Sequence, residues 1–142
     1  MTLKTEQEAF WAGDFGTEYI QSNQGDALLA SNLDFFGKAL RQARGIQSCI
    51  EFVANIGMNL KALKLLPPGI DAHAIEINAA AAKQLGTAIP PANVHNSSIL
   101  DFTPARHWDL TLIKRVLIHI NPEVLLQVYD KLCAACGRYL MV

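Results

Sequence analysis

Little in this chain of 142 residues stands in excess, and each shortage excludes a class of protein. Three cysteines, Cys49, Cys133 and Cys136, are too few and odd in number for a secreted disulfide framework, so a reducing compartment is expected. Cys133-Ala-Ala-Cys136 has the spacing of a redox or zinc pair, but no second pair accompanies it. It falls late in an apolar helical pattern and reads as two buried helix cysteines. No apolar run reaches the roughly 18 residues of a membrane span, and MTLKTEQEAFW lacks the apolar centre of a signal peptide, so a cytoplasmic protein with no membrane partner is expected. Twelve basic against thirteen acidic side chains leave a net charge of -1, without the basic surplus that nucleic-acid backbones select. His73, His95 and His107 lack zinc-ligand spacing, and no metal is expected.

What is present suits one globular domain spanning residues 1–142: 51% of the residues are hydrophobic and 18% charged. Trp11, Phe15 and Tyr19 recur every four residues, as on one helix face. Gly13 and Gly16 weaken that helix, so residues 1–25 are expected to form a flexible, partly helical flap. A leading helix is predicted over 26–45, capped by Asp26, with Leu29, Leu33, Phe36 and Leu40 on one face and Gly45 as its stop.

From residue 46 onward, strands and helices alternate. Residues 49–53 form a strand-like run, followed by a loop through Gly57 and a helical pattern at Leu60, Leu63 and Leu66. The unit returns at residues 73–77, with Asn78 capping an alanine-rich helix, and again at residues 110–114 before a helix opened by Asn121-Pro122. Residues 93–95 and 138–142 supply further strands. Such alternation implies an α/β fold with a mostly parallel sheet, helices on both faces, and a ligand crevice at the carboxyl ends of the strands.

In the first loop, Glu51 through Gly57, there is neither Gly-Lys-Ser/Thr nor Gly-x-Gly-x-x-Gly, so a phosphate cradle is disfavoured. Glu51 at the strand end would repel a pyrophosphate and suit an ammonium or sulfonium group. Glu76 ends the next strand, where a carboxylate accepts hydrogen bonds from the vicinal hydroxyls of a ribose. Two such acids in consecutive units point to a cationic nucleoside, although either alone is equally read as a solvated strand-end residue.

At these positions the chain resembles class I S-adenosylmethionine-dependent methyltransferases, whose first motif is an acid followed by a glycine-rich loop and whose second is an acid ending the next strand. It is more closely similar to the methylases associated with pseudaminic acid biosynthesis, through FWAGDFGTEYI, LLASNLDFF, ANIGMNLKAL, IEIN, NSSILDF and VLIHINP, which together span most of the chain. The resemblance implies a three-layer Rossmann-like sheet and S-adenosylmethionine as cofactor. It places Glu51, Val53, Asn55 and Gly57 beside the methionine portion, Glu76 on the ribose, Ile77 and Asn78 bordering the adenosine, Ser98 and Ile99 at the adenine, and Lys114 at the end of the fourth strand. His119 is implied as an acceptor-side base, with Trp11, Phe15, Tyr19 and Arg115 at the lid and substrate side. The acceptor implied is a small molecule, a nonulosonate-type sugar, methylated on oxygen or nitrogen.

Val53 and Asn55 depart from the superfamily motif, where glycines are usual, and Arg115 stands where a small residue is expected. The superfamily sheet has seven strands in the order 3-2-1-4-5-7-6, so a chain ending on Tyr139-Leu-Met-Val142 reads as truncated after its fifth strand, with a homodimer through that edge as one way of covering it. Two other readings of the residues stay open: a non-catalytic interaction or dimerisation module, and a nicotinamide-dependent oxidoreductase, which Glu76 would also suit.

Overall fold

The computed structural model describes residues 1–142. Its five strands are β1 (Ser48–Phe52), β2 (Asp71–Ile75), β3 (Val94–His95), β4 (Trp108–Leu112) and β5 (Cys136–Met141). They form one sheet in the order β3-β2-β1-β4-β5, and all four pairings are parallel. This is the α/β architecture with a parallel sheet covered on both faces that the alternation of strands and helices implies. β1 lies at the centre and all five of its residues are buried, which is why it reads, past Ser48, as an apolar run interrupted only by Glu51.

The two faces of the sheet carry separate cores. On one side Cys49, Ala72, Ala74, Leu110 and Leu112 pack with Phe36 of α3 (Asp26–Ala39), Leu60 and Leu63 of α4 (Met58–Leu63), and Leu85 of α5 (Ala79–Leu85). On the other, Ile50, Phe52 and Ile75 meet Val128 and Leu132 of α6 (Pro122–Ala135). A smaller cluster of Ile20, Ile56, Met58 and Ala81 ties the N-terminal segment to the domain.

The helical part of the expected flap is present in that segment. It is two packed helices, α1 (Glu6–Ala12) and α2 (Asp14–Ser22), hinged at Gly13. Thr5 and Glu8 form a reciprocal capping box at the start of α1. Gly16 is a packing residue here: a Cβ on it would lie 1.8 Å from the Trp11 carbonyl oxygen, so only glycine lets α2 fold back this closely.

Two boundaries of the leading helix also change. Gly25, with φ 106°, is the N-cap and Asp26 is the first helical residue, where its charge favours the helix N-terminus without capping it. The helix stops at Ala39, and residues 40–47 run to β1 as turn and extended chain. The cysteine expectation is corrected as well: Cys133 is exposed on α6, and Cys136 is half-buried at the first position of β5. No helix is long and apolar enough to cross a membrane.

Candidate functional site

Parallel pairing brings every strand's carboxyl end to one rim. Glu51 is the fourth residue of β1, Glu76 directly follows β2, Ser98 lies three residues past β3, and Lys114 two past β4. α1 and α2 lie over this rim and enclose a hollow of about 190 Å³. Of the residues singled out from sequence, Glu51, Val53, Asn55, Glu76, Ile77, Asn78, Ser98, Ile99, Lys114, Arg115, His119, Trp11 and Tyr19 all line it.

Two of the sequence-predicted residues do not. Gly57 lies at the start of α4 in the left-handed region (φ 82°), with a Cβ position only 2.6 Å from Leu85 Cδ1; it closes the loop against the core. Phe15 is exposed on α2 and stacks on Phe10 with ring centres 4.2 Å apart, outside the hollow.

The Glu76 carboxylate is held by backbone. Its Oε2 accepts from the Asn55 N–H at 2.7 Å and its Oε1 from the Asn78 N–H at 2.8 Å. Burial pushes its pKa above the ordinary carboxylate range, while these amides pull the other way. Each oxygen keeps lone-pair capacity for another donor. The bond to Asn55 fixes a strained loop: Val53 (φ 61°) and Asn55 (φ 50°) are both left-handed without being glycine. Asn tolerates this region, whereas a β-branched valine is strained there. These are the two positions that depart from the glycine-rich motif, so the backbone keeps a glycine-like path without the glycines.

Glu51 is held differently. Its Oε1 accepts from Asn59 Nδ2 at 2.6 Å, and its Oε2 is buried with no partner at all. Desolvation raises its pKa to about 8, opposed by the Asn59 hydrogen bond and by the Lys114 charge. Asn59 relays the contact, because its Oδ1 lies 3.5 Å from Lys114 Nζ, which also donates to Asn32 Oδ1 at 3.2 Å. Lys114 sits over the Phe35 ring at 4.9 Å, and burial, reinforced by neighbouring Arg115, lowers its pKa. Arg115 is the third left-handed non-glycine residue in the chain (φ 60°) and makes no ion pair.

α1 and α2 are fastened to the rim by polar groups near Gly13 and at the start of α1. Asn78 accepts from the Ala81 N–H as a helix cap, and its Nδ2 lies within hydrogen-bond reach of the Trp11, Ala12 and Gly13 carbonyls and of Thr17 Oγ1. The Ser98 hydroxyl donates to Glu8, and Lys4 pairs with Asp101 at 2.5 Å. His119 is exposed in a short 3-10 turn, Leu117–His119, with its ring edge-on to Trp11 at 5.3 Å. Asn121 starts α6 with Pro122 behind it, as read, but its side chain makes no capping bond.

Sequence reading missed Gln7, Glu8, Asn32 and Asn59, which also line the hollow. Asn59 carried a usable signal, eight residues past Glu51 on the helix that follows the strand. Glu8 and Asn32 meet their partners across 90 and 82 residues, a separation that no local pattern encodes.

No protein-family model and no curated protein sequence matches the chain. Solved structures do, and the chain is similar to methyltransferases among them. The sugar N-methyltransferase KedS8 of Streptoalloteichus sp. superposes with a TM-score of 0.69 at 15% identity, over 96% of this chain and 53% of that one. The plantazolicin methyltransferase BpumL, solved with SAH, gives 0.70 at 17% identity, over 92% and 53%. CalS10, an amino pentose methyltransferase from Micromonospora echinaspora solved with SAM, gives 0.67 at 10% identity, over 96% and 54%. The chain thus spans about half the length of the structures it matches.

Proposed function

We propose that the hollow binds S-adenosylmethionine and that the chain is the cofactor-binding part of a methyltransferase acting on a small molecule. The observation carrying this reading is the pair of buried carboxylates on adjacent strand ends, one of them with an oxygen left unpaired. The fit is chemical: Glu51 Oε2 lacks a donor, which an α-ammonium group supplies, and Glu76 retains capacity for two ribose hydroxyls. Ile77, Ile99 and Leu100 offer apolar walls for a base. BpumL and CalS10, which share the fold, were solved with SAH and SAM.

When bound, the cofactor supplies a methyl group already activated by its sulfonium. The protein's part is positioning and exclusion of water. Glu51 orients the charged end, Asn59 and Lys114 hold Glu51, and Asn78 keeps α1 and α2 closed over the rim. His119 at the mouth, braced by Trp11, is the group to take a proton from an oxygen or nitrogen acceptor, and Arg115 lies beside it facing the same hollow. The acceptor is a sugar of the nonulosonate type in this proposal, a reading supported by the sequence resemblance and by the amino-sugar methyltransferases that share the fold. β5 is an edge strand with Leu140 exposed, and the proposal includes pairing of two copies there, which sedimentation velocity tests directly.

Calorimetric titration with S-adenosylhomocysteine, with NAD in parallel, tests the binding claim. Saturable heat with the first and none with the second is expected, as is loss in Glu76→Ala. Heat with NAD alone supports the oxidoreductase reading. Silence with both supports a non-catalytic module.

A further inference from the structure

The order of the sheet dictates which way a ligand lies across the rim. Glu51 belongs to β1, Glu76 follows β2, and Ser98 follows β3, the strand beyond β2. A nucleoside with its charged end at Glu51 and its ribose at Glu76 therefore has its base over the Ser98 end. This step rests on the reading proposed above.

At that end the polar groups form a pattern. The Ile99 N–H lies in a buried residue and donates to no protein acceptor. The Ser98 hydroxyl is already committed, accepting from the Leu100 N–H at 2.9 Å and donating to Glu8 Oε1. Glu8 Oε2 receives the backbone N–H of Thr5 at 3.0 Å and that of Lys4, so the carboxylate is clamped in place with lone-pair capacity left on Oε1. Gln7, one residue earlier on α1, lines the same hollow with a buried, unpaired Oε1. One open backbone donor thus stands beside acceptors carried by α1.

We propose that Glu8 is a specificity-determining residue, which reaches across from the lid to read the amino edge of a 6-aminopurine. A ring nitrogen that accepts and an exocyclic amine that donates complement the Ile99 N–H and the Glu8 carboxylate. A 6-oxopurine presents the reverse, a ring N–H and a carbonyl, and meets donor with donor and acceptor with acceptor. Because Glu8 is also half of the α1 capping box and a contact of Ser98, the residue that reads the base also shuts the lid over it.

The test compares S-adenosylhomocysteine with S-inosylhomocysteine by calorimetry, on the intact chain and on Glu8→Gln. The intact chain is expected to prefer the amino form by about 10- to 100-fold. In Glu8→Gln, whose amide can present either edge, the preference is expected to shrink to about threefold, with weaker binding of the amino form. An equal loss of both ligands, with the ratio kept, overturns the proposal and leaves Glu8 as a helix cap alone; so does an unchanged ratio with unchanged affinities. Failure of both ligands to bind the intact chain overturns instead the cofactor reading on which the proposal stands.

Discussion

Glu51 and Glu76 occupy equivalent places on neighbouring strands, and both are almost fully buried, yet their surroundings are opposite in kind. Glu76 is gripped at both oxygens by main-chain amides from the 53–55 loop and from the start of α5, so it is part of the fold. Glu51 has one side-chain donor and one bare oxygen, and its nearest cation is screened behind an asparagine. A carboxylate satisfied by backbone organises a site, whereas one left half-satisfied is set up for a ligand.

The largest effect that would break this comparison is expected for Glu76→Ala. It strands the Asn55 and Asn78 amides and releases the strained loop, at a cost of about 2–4 kcal/mol in unfolding free energy. Affinity for S-adenosylhomocysteine should fall by about 100-fold. Chemical denaturation and calorimetry measure the two losses separately.

Glu51→Gln should separate stability from binding. In the folded chain Glu51 carries a pKa of about 8, above the ordinary 4.5, so the native state holds a proton that the unfolded chain has lost between those values. Stability therefore falls as pH rises through that window. The variant should lack this fall and exceed the parent by about 1–3 kcal/mol at pH 8, while binding the ligand more weakly. Melting curves from pH 5 to pH 9 show the sign.

Asn59→Ala should cost less, about 1 kcal/mol, because it removes Glu51's single donor and one acceptor of Lys114. The pH window over which stability falls should also extend further upward, since the hydrogen bond that lowers the Glu51 pKa is lost. The smallest effect belongs to Val53→Gly. Relief of left-handed strain, less the entropy that glycine adds to the unfolded chain, leaves a gain of about 0.5–1 kcal/mol, with modestly tighter ligand binding. The same change at Asn55 should be near neutral, since asparagine already tolerates the conformation.

The rim was legible because its signals are local. Each acid sits at the end of a short apolar run, and Asn78 and Asn121-Pro122 mark the helices that follow. The class of fold follows from that alternation. Gly16 looks like a weakness along the helix and acts as a contact between helices, a distinction that exists only once α2 meets the Trp11 carbonyl. The inner face of the site, Gln7, Glu8 and Asn32, was not legible, since those residues gain their meaning from partners far along the chain. Val53, which departs from the glycine-rich motif, takes up the left-handed turn all the same and lines the hollow.

The central claim is that the bare oxygen of Glu51 is reserved for a cationic group on the ligand. Near pH 7 a carboxyl with a pKa of about 8 is mostly protonated before binding and must ionise to receive that group. Calorimetry of S-adenosylhomocysteine in buffers of different ionisation enthalpy counts the protons exchanged. The account predicts release of nearly one proton per ligand from the intact chain and none from Glu51→Gln; binding without release, or equal release from both, would contradict it.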